Sequence, residues 1–162
     1  MLSLSISKIL RKNSDEVIRR WLEYTHGRVA EDFEQMLNTP MGTSVANKLL
    51  GGAADFFTAE DYREPEFLRQ ARQISYDASF RRAAVGYCLP DIVTTCQTFH
   101  QAIRETVLNN FLPGTDDEWR ELLDAVLALS RLENAAIMGR IAGYFAYHEF
   151  GGHDEDEERI AG

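Results

Sequence analysis

Apolar residues recur every three or four positions along most of the chain, which is the spacing of an amphipathic helix. The first stripe begins after Ser14, a favourable capping residue followed by two acidic residues, and predicts one long helix over 14–37. Its members are Ile18, Trp21, Leu22, Val29, Phe33, Met36 and Leu37. A second stripe predicts a helix over 45–57. Gly51 and Gly52 interrupt it, and since glycine costs a helix about 1 kcal/mol relative to alanine, we expect a bend or a close helix contact there.

Prolines and glycines mark the boundaries of the next helices. Pro65 fits the first turn of a helix that runs to about Val85 and is ended by Gly86. Because the residue before a proline avoids the helical conformation, Leu89 is expected to be extended and Pro90 to begin the following helix. That helix carries the clearest apolar stripe of the chain, formed by Ile92, Val93, Cys96, Phe99, His100, Ile103, Val107 and Phe111.

The last predicted helix is also the longest. A cap at Thr115 or Asp116 precedes it, and its apolar residues continue to Phe145, a length of about 50 Å. A single domain of this size does not need so long a helix. Together with the separate apolar segment at the N-terminus, this length indicates surfaces that a second chain covers, so we expect a homodimer.

Only one segment alternates as a strand does, namely Leu2, Leu4 and Ile6, and it fits a short helix equally well. The predicted fold class is therefore all-α, with six or seven helices and a long C-terminal helix. Residues 1–150 are predicted to form one domain. Residues 151–162 are predicted to form an acidic, disordered tail, because five acidic residues follow one another there.

Composition places the chain among ordinary folded proteins, since 44% of its 162 residues are hydrophobic and 27% are charged. With 17 basic and 26 acidic side chains the net charge is -9, which argues against binding to nucleic acids. No run of about 18 apolar residues occurs, and the first charges follow a short apolar stretch rather than precede it, unlike a secretory signal. We therefore expect a cytoplasmic protein without a membrane partner.

Candidate chemistry is sparse. Cys88 and Cys96 lack the spacing of a metal site and are expected to be buried thiols. Cys96 and His100 share a helix face, which predicts a buried thiol beside a hydrogen-bonded core histidine, with a ligand or metal contact as the alternative. Glu23 and His26 supply only half of a di-iron motif. The sequence thus predicts no catalytic residue, no metal site and no cofactor.

Two further groups of residues fit two interpretations each. A basic stretch fits either a solvated face or a site for an anionic ligand or partner. It consists of Arg69, Arg72, Arg81 and Arg82. Small residues spaced by four on the last helix fit either a crossing of two helices within the chain or a dimer seam. They are Ala135, Gly139 and Gly143.

Four segments carry a resemblance to a known family, namely WLEYTHGRVAEDF, VANKLLGGAADFF, RRAAVGYCLPDIV and LLDAVLALSRLENAAIMGRIAGYF. Together, over roughly residues 14–148, they resemble the N-terminal domain of RsbR-type co-antagonists of stressosomes. The resemblance implies a globin-like sensory fold without haem that dimerises through long helices. It also implies a bacterial signal-input role. Since no phosphorylatable domain follows in this sequence, we expect either a stand-alone sensor or a downstream signalling protein that is a separate partner.

Globin-coupled sensors, which look like distant relatives, carry a haem-binding histidine about five residues before a Leu-Pro pair. Counting back from Leu89 reaches Ala84, which cannot bind iron. The prediction is therefore a non-enzymatic sensor domain without haem. The alternatives are a haem- or metal-binding globin that uses His100 and an enzyme that uses Cys96 with His100. A pocket for a small molecule is expected around Cys96, Phe99, His100 and Tyr144.

Overall fold

The computed structural model of the chain describes residues 4–58 and 65–151. Within these ranges the chain forms seven α-helices, a π-helical turn and no strand, which confirms the all-α fold class and the long C-terminal helix. The helices are α1 (Leu4–Lys12), α2 (Ser14–Thr25), α3 (Glu31–Leu37), α4 (Pro40–Phe56), α5 (Pro65–Val85), α6 (Leu89–Asn110) and α7 (Asp116–Ala146), followed by the π-helical turn Tyr147–Gly151. Beyond Gly151, the predicted acidic tail lies outside the described residues.

The single helix predicted over 14–37 is two helices in the structure. α2 ends before Gly27 and α3 begins after it, and Gly27 adopts a left-handed conformation with a φ of 72°. Glycine reaches this conformation without steric cost, and a residue in it ends the preceding helix. The resulting corner turns α3 back onto the core, where Phe33 and Leu37 are fully buried. The prediction was wrong because the apolar spacing continues across the corner without a change.

Gly51 and Gly52 lie inside α4, which continues through both of them. A Cβ atom added at either position would find no other atom within 4 Å. The expected close contact with another helix is therefore wrong, and both positions have room for an alanine.

The helix boundaries at prolines agree with the predictions with one exception. α5 begins at Pro65 and is followed by Gly86, which has a φ of 102°. α6 begins at Leu89 rather than at Pro90, and the extended residue before it is Cys88, with a φ of -82° and a ψ of 153°. The first turn of a helix tolerates proline because an amide hydrogen there has no partner within the helix. The predicted break is thus real but lies one residue earlier.

Thr115 caps the N-terminus of α7, as one of the two predicted alternatives requires. Its hydroxyl accepts a hydrogen bond from the backbone amide of Glu118, and the Glu118 carboxylate accepts one from the amide of Thr115. This reciprocal pair satisfies two amides that the helix itself leaves without partners. α7 then continues for 31 residues.

The N-terminal apolar segment forms a helix rather than a strand. Ile6 and Leu10 are fully buried, and α1 packs against α4 and α6. Residues of this chain therefore cover both side chains. The expectation that a second chain is needed to cover this segment was wrong.

α2 is held on α6 by polar contacts inside the core as well as by apolar packing. The indole nitrogen of Trp21 donates to the carbonyl oxygen of Thr95 at 2.9 Å, and the Trp21 ring meets Phe99 edge-on. One turn further along α2, the hydroxyl oxygens of Thr25 and Thr98 lie 2.7 Å apart. These contacts fix the position of α6, the helix that carries most of the predicted site residues.

α5 and α7 approach each other so closely that their backbones touch. A Cβ atom on Gly139 would lie 2.2 Å from the carbonyl oxygen of Arg72, and one on Gly143 would lie 2.2 Å from that of Tyr76. The two helices run parallel. Gly143 lies one turn after Gly139 on α7, and its contact, Tyr76, lies one turn after Arg72 on α5. Gly139 and Gly143 therefore form a helix crossing within the chain rather than a dimer seam. Ala135, one turn earlier, is half-buried.

The substitution Gly139→Ala is expected to lower the free energy of unfolding by about 3 kcal/mol. The new Cβ atom would overlap a backbone carbonyl, so one of the two helices has to shift and loses packing. Urea unfolding followed by far-ultraviolet circular dichroism measures this loss.

Gly51→Ala is the matched control, since it makes the same chemical change inside a helix but in open space. It is expected to raise the free energy of unfolding by about 1 kcal/mol, because alanine favours the helix and restricts the unfolded chain. Equal stability changes in the two variants would contradict the close approach of α5 and α7.

Candidate functional site

Five polar side chains are buried next to the crossing of α5 and α7, and we call them the buried polar cluster. They are Ser79 and Arg82 of α5, Cys96 and His100 of α6, and Arg140 of α7. Arg140 directly follows Gly139, so the same approach that brings the two backbones together also buries this guanidinium. The exposed fractions of Arg82 and Arg140 are only 7% and 3%, which is rare for arginine.

Arg140 connects the cluster through both its backbone and its side chain. The Ser79 hydroxyl donates to the carbonyl oxygen of Arg140 at 2.6 Å, and the charge of the Arg140 side chain acts on the thiol of Cys96. Nε and Nη1 of Arg140 and Nη1 of Arg82 are nevertheless buried without a hydrogen-bond partner. Buried donors without acceptors lower the stability of a folded protein. The cluster therefore holds donors that an additional acceptor could use.

The cluster also carries the positive charges of two buried arginines. Burial in the first place, and the charge of Arg140 in the second, lowers the pKa of Arg82 to about 9, which leaves Arg82 protonated at neutral pH. In the part of the chain that the structure describes, no carboxylate forms an ion pair with Arg82 or Arg140. Two neighbouring buried cations without a counter-charge favour the approach of an anion.

A cavity of about 300 Å³ adjoins Arg82 between α3, α4 and α5. The guanidinium carbon of Arg82 lies 5.5 Å from the centroid of the Phe33 ring, and Phe33 stacks on Tyr87 at 4.5 Å. These aromatic contacts hold the cation at one side of the cavity. Apart from Arg81 and Arg82, the walls consist of Met36, Met41, Val45, Ala78, Val85 and Tyr87.

Cys96, Phe99, His100 and Tyr144, around which a pocket was predicted, have close packing neighbours among the described residues. His100 borders a cavity of about 10 Å³, which has room for about one water molecule and none for a porphyrin. Phe99 is buried between the rings of Trp21 and His100. Cys96 is fully buried, and the Tyr144 ring packs against its neighbours at the C-terminal end of α7. The cavity of about 300 Å³ lies elsewhere, on the side of α5 that carries Arg82.

Cys96 and His100 do not form an activated pair. Burial raises the pKa of the Cys96 thiol and lowers the pKa of His100 to about 3, so both side chains are neutral at neutral pH. A nucleophilic cysteine needs the opposite shift, toward the thiolate. Nδ1 of His100 also lacks a hydrogen-bond partner, so the hydrogen bond expected of a core histidine is not made at this atom.

The basic stretch on α5 divides into two kinds of residue. Arg69 pairs with Glu66 at 2.8 Å on the surface and Arg81 is exposed, as a solvated face predicts. Arg82 is buried, so that interpretation is wrong for this residue. Its position held a signal that the analysis of charge missed, because Arg82 lies three residues after Ser79 and therefore on the face of α5 that packs into the molecule.

Glu23 and His26, the half of a di-iron motif, form separate surface ion pairs. Glu23 accepts from Arg19 at 2.7 Å, and His26 pairs with Glu34 across the corner between α2 and α3. Among the described residues no group of three or more His, Cys, Asp or Glu side chains could hold a metal ion. The helices of the described ranges also include none with both the length and the apolar character needed to cross a membrane.

Comparisons with protein-family models, with curated proteins and with solved structures find no match for this chain. The resemblance to RsbR-type domains, and with it the globin-like architecture, therefore stays a prediction that rests on the sequence segments alone.

His100 is expected to stay neutral throughout the range from pH 8 to about pH 4, since its pKa is lowered to about 3 by burial, with Arg104 and Arg140 adding to the effect. Because the pKa of histidine in the unfolded chain is about 6.5, the stability that neutral His100 contributes is present above this pH and is lost as the pH falls toward 3. Imidazole nitrogen shifts measured by NMR test the charge state directly. A His100→Gln variant should lose stability less steeply below pH 6.5 than the wild type does.

His26 is expected to titrate in the opposite direction. Its hydrogen bond with Glu34 raises the pKa of His26 and lowers the pKa of the Glu34 carboxyl. The stability that protonated His26 contributes through this pair is complete below about pH 6.5. It is lost as the pH rises through the raised pKa of His26. NMR titration should show the pKa of His26 return to its ordinary value in Glu34→Gln. The control Glu23→Gln should leave it unchanged, and an unchanged pKa in Glu34→Gln would contradict this pairing.

Proposed function

We propose that the chain is a non-enzymatic signal-input domain that acts as a homodimer through the outer face of α7. The observation that carries the proposal is a stripe of six large apolar side chains along this face, which we call the outer stripe. Their exposed fractions lie between 38% and 59%. The residues of the outer stripe are Trp119, Leu123, Leu127, Met138, Ile141 and Phe145.

The outer stripe is continuous on the helix surface. Its two apolar halves are joined by Ser130 and Asn134, which fall on the same face at the same three- and four-residue spacing. The stripe therefore extends over most of a helix of about 45 Å. An exposed apolar surface of this extent is typical of a site where another protein binds.

The order of residues along the outer stripe favours a second copy of this chain as the partner. If two α7 helices pack antiparallel around a two-fold axis between Ser130 and Asn134, the N-terminal half of each outer stripe contacts the C-terminal half of the partner's outer stripe. Trp119 then lies opposite Phe145, and Leu123 lies opposite Ile141. Side chains of similar size and polarity face each other along the whole length, as a self-complementary interface requires. The polar centre would set the register.

The inner face of α7 supplies the route for a signal. α7 is locked onto α5 at Gly139 and Gly143, so a ligand or partner that changes the packing of α5 also moves the outer stripe. Such a ligand acts by binding one helix arrangement better than the other, which shifts the population of the dimer toward the state that the downstream signalling protein recognises. The neutral state of the Cys96 and His100 pair supports a role without covalent chemistry.

Sedimentation equilibrium at micromolar concentration tests the dimer. The wild type is expected to sediment with twice the chain mass of 18.4 kDa. The double variant Leu123→Glu/Leu127→Glu is expected to be a monomer with unchanged helix content, because four carboxylates in one interface repel each other and lose their hydration.

The matched control is Ser44→Glu/Asn47→Glu, which adds the same charge at two exposed positions of α4 and should remain a dimer. A wild-type protein that sediments as a monomer, or a dimer that withstands both glutamates on α7, would overturn the proposed function.

A further inference from the structure

The cavity beside Arg82 combines an apolar interior with one buried cation whose bonding capacity is not used. Arg82 lines the cavity with only 7% of its surface exposed. Its Nη1 is enclosed in the protein without a partner, so only the other nitrogens of the guanidinium can face the cavity, and none of them is hydrogen-bonded among the described residues. The cation–π contact with Phe33 holds the guanidinium in place but supplies no acceptor for its hydrogens. An acceptor from outside the chain would complete the bonding of this group.

The charges around the cavity point to an anion. Arg81 also lines it, so two cations border an otherwise apolar space, and the charge of Arg140 acts on Arg82 from inside the molecule. Among the described residues no carboxylate is paired with Arg82. A guanidinium binds a carboxylate through two parallel hydrogen bonds, which are stronger than hydrogen bonds between neutral groups.

We propose that this cavity binds an aliphatic monocarboxylate, with the carboxylate at Arg82 and the hydrocarbon chain against Met36, Met41 and Val45. The cavity of about 300 Å³ has room for about ten non-hydrogen atoms, which is the size of octanoate. A neutral hydrocarbon of this size fills the same space but leaves Arg82 without an acceptor. A short, fully hydrated anion reaches the cation but leaves the apolar walls uncovered.

The mouth of the cavity suits such a ligand. Met41 and Val85 line it and are exposed by 79% and 72%, so a chain can enter between them. Met36 and Met41 have unbranched, flexible side chains that adapt to hydrocarbon chains of different lengths. Binding at this place draws α3 and α4 toward Arg82 on α5, the helix that is locked onto α7. The regulatory role of this ligand therefore rests on the proposed function, for which the ligand would be the chemical class of the signal.

Isothermal titration calorimetry with octanoate, 1-octanol and acetate tests the ligand class on the full chain. Octanoate is expected to bind saturably to one site per chain. 1-Octanol has the same number of carbon atoms without the charge and should bind at least about tenfold more weakly, since it loses a charge-assisted hydrogen bond to Arg82. Acetate should not saturate at octanoate concentrations. No saturable binding of octanoate, or equal binding of octanol and octanoate, overturns the proposal.

Variants assign the binding to this cavity. Arg82→Met keeps an unbranched side chain about as long as the aliphatic stem of arginine and removes a buried charge that has no partner, so the variant is expected to fold as stably as the wild type or more so. It should bind octanoate at least about tenfold more weakly. Arg81→Gln, the matched control at an exposed cation, should change the affinity by less than about threefold, because exposed ion pairs contribute little. Unchanged binding in Arg82→Met contradicts the proposed site.

Val45→Phe tests the cavity without changing a charge. The larger side chain reduces the volume of the cavity and should weaken octanoate binding at least about tenfold, with unchanged helix content. Octanoate should also raise the unfolding temperature of the wild type in proportion to its binding, and it should not do so for Val45→Phe. Equal binding by Val45→Phe and the wild type would place the ligand elsewhere and overturn the inference.

The monomeric variant Leu123→Glu/Leu127→Glu separates this inference from the proposed function. Both substitutions lie on the outer face of α7, away from the cavity, so the variant should bind octanoate as tightly as the wild type. If the wild type is a monomer that binds octanoate, the proposed function fails and the ligand site stands. If the wild type is a dimer that does not bind octanoate, the ligand site fails and the dimer stands.

Discussion

The contact between the backbones of α5 and α7 is the constraint on which the rest of the structure depends. Two positions on α7, Gly139 and Gly143, have no side chain, and this lets the carbonyl groups of α5 occupy the space that a Cβ would fill. The approach brings Arg140 into the core next to Arg82 and directs the opposite face of the same helix to solvent. Burial of the two arginines and exposure of the outer stripe are thus two results of one helix crossing.

The buried arginines raise the question of why a protein keeps charge where it lowers stability. A buried cation without a counter-ion is less favourable than an apolar residue of the same size. Such an unfavourable buried charge is expected in a binding site whose counter-ion comes from the ligand. Binding then supplies the interaction that the protein without ligand lacks. Arg82 fits this description better than Arg140, because Arg82 borders the cavity whereas Arg140 does not.

Most of the helices could be predicted from the sequence, because apolar periodicity and capping residues act locally. Pro65, Gly86 and Thr115 mark boundaries that lie where their backbone preferences require. The corner at Gly27 could not be predicted in the same way, because the apolar spacing of the two helices happens to stay in phase across it. A glycine alone does not reveal whether it adopts the left-handed conformation or, as Gly51 does, an ordinary helical one.

The candidate site was harder to predict than the fold because it depends on contacts between distant segments. His100 drew attention as a histidine on an apolar face, yet its surroundings hold almost no free space. Arg82 was grouped with its charged neighbours on α5, and only the packing of α3 and α4 against that helix reveals the cavity beside it. The interpretation of Gly139 and Gly143 also needed the position of α5, since spacing alone fits either partner.

The parallel arrangement of α5 and α7 has a consequence for how the chain folds. Contacts such as that between Arg72 and Gly139 join residues that are far apart in the chain, and α6 lies between them in sequence. Bringing such distant segments together costs loop entropy before any contact repays it, which slows folding. The contact between α5 and α7 is therefore a late step during synthesis, because it forms only after the final helix has emerged.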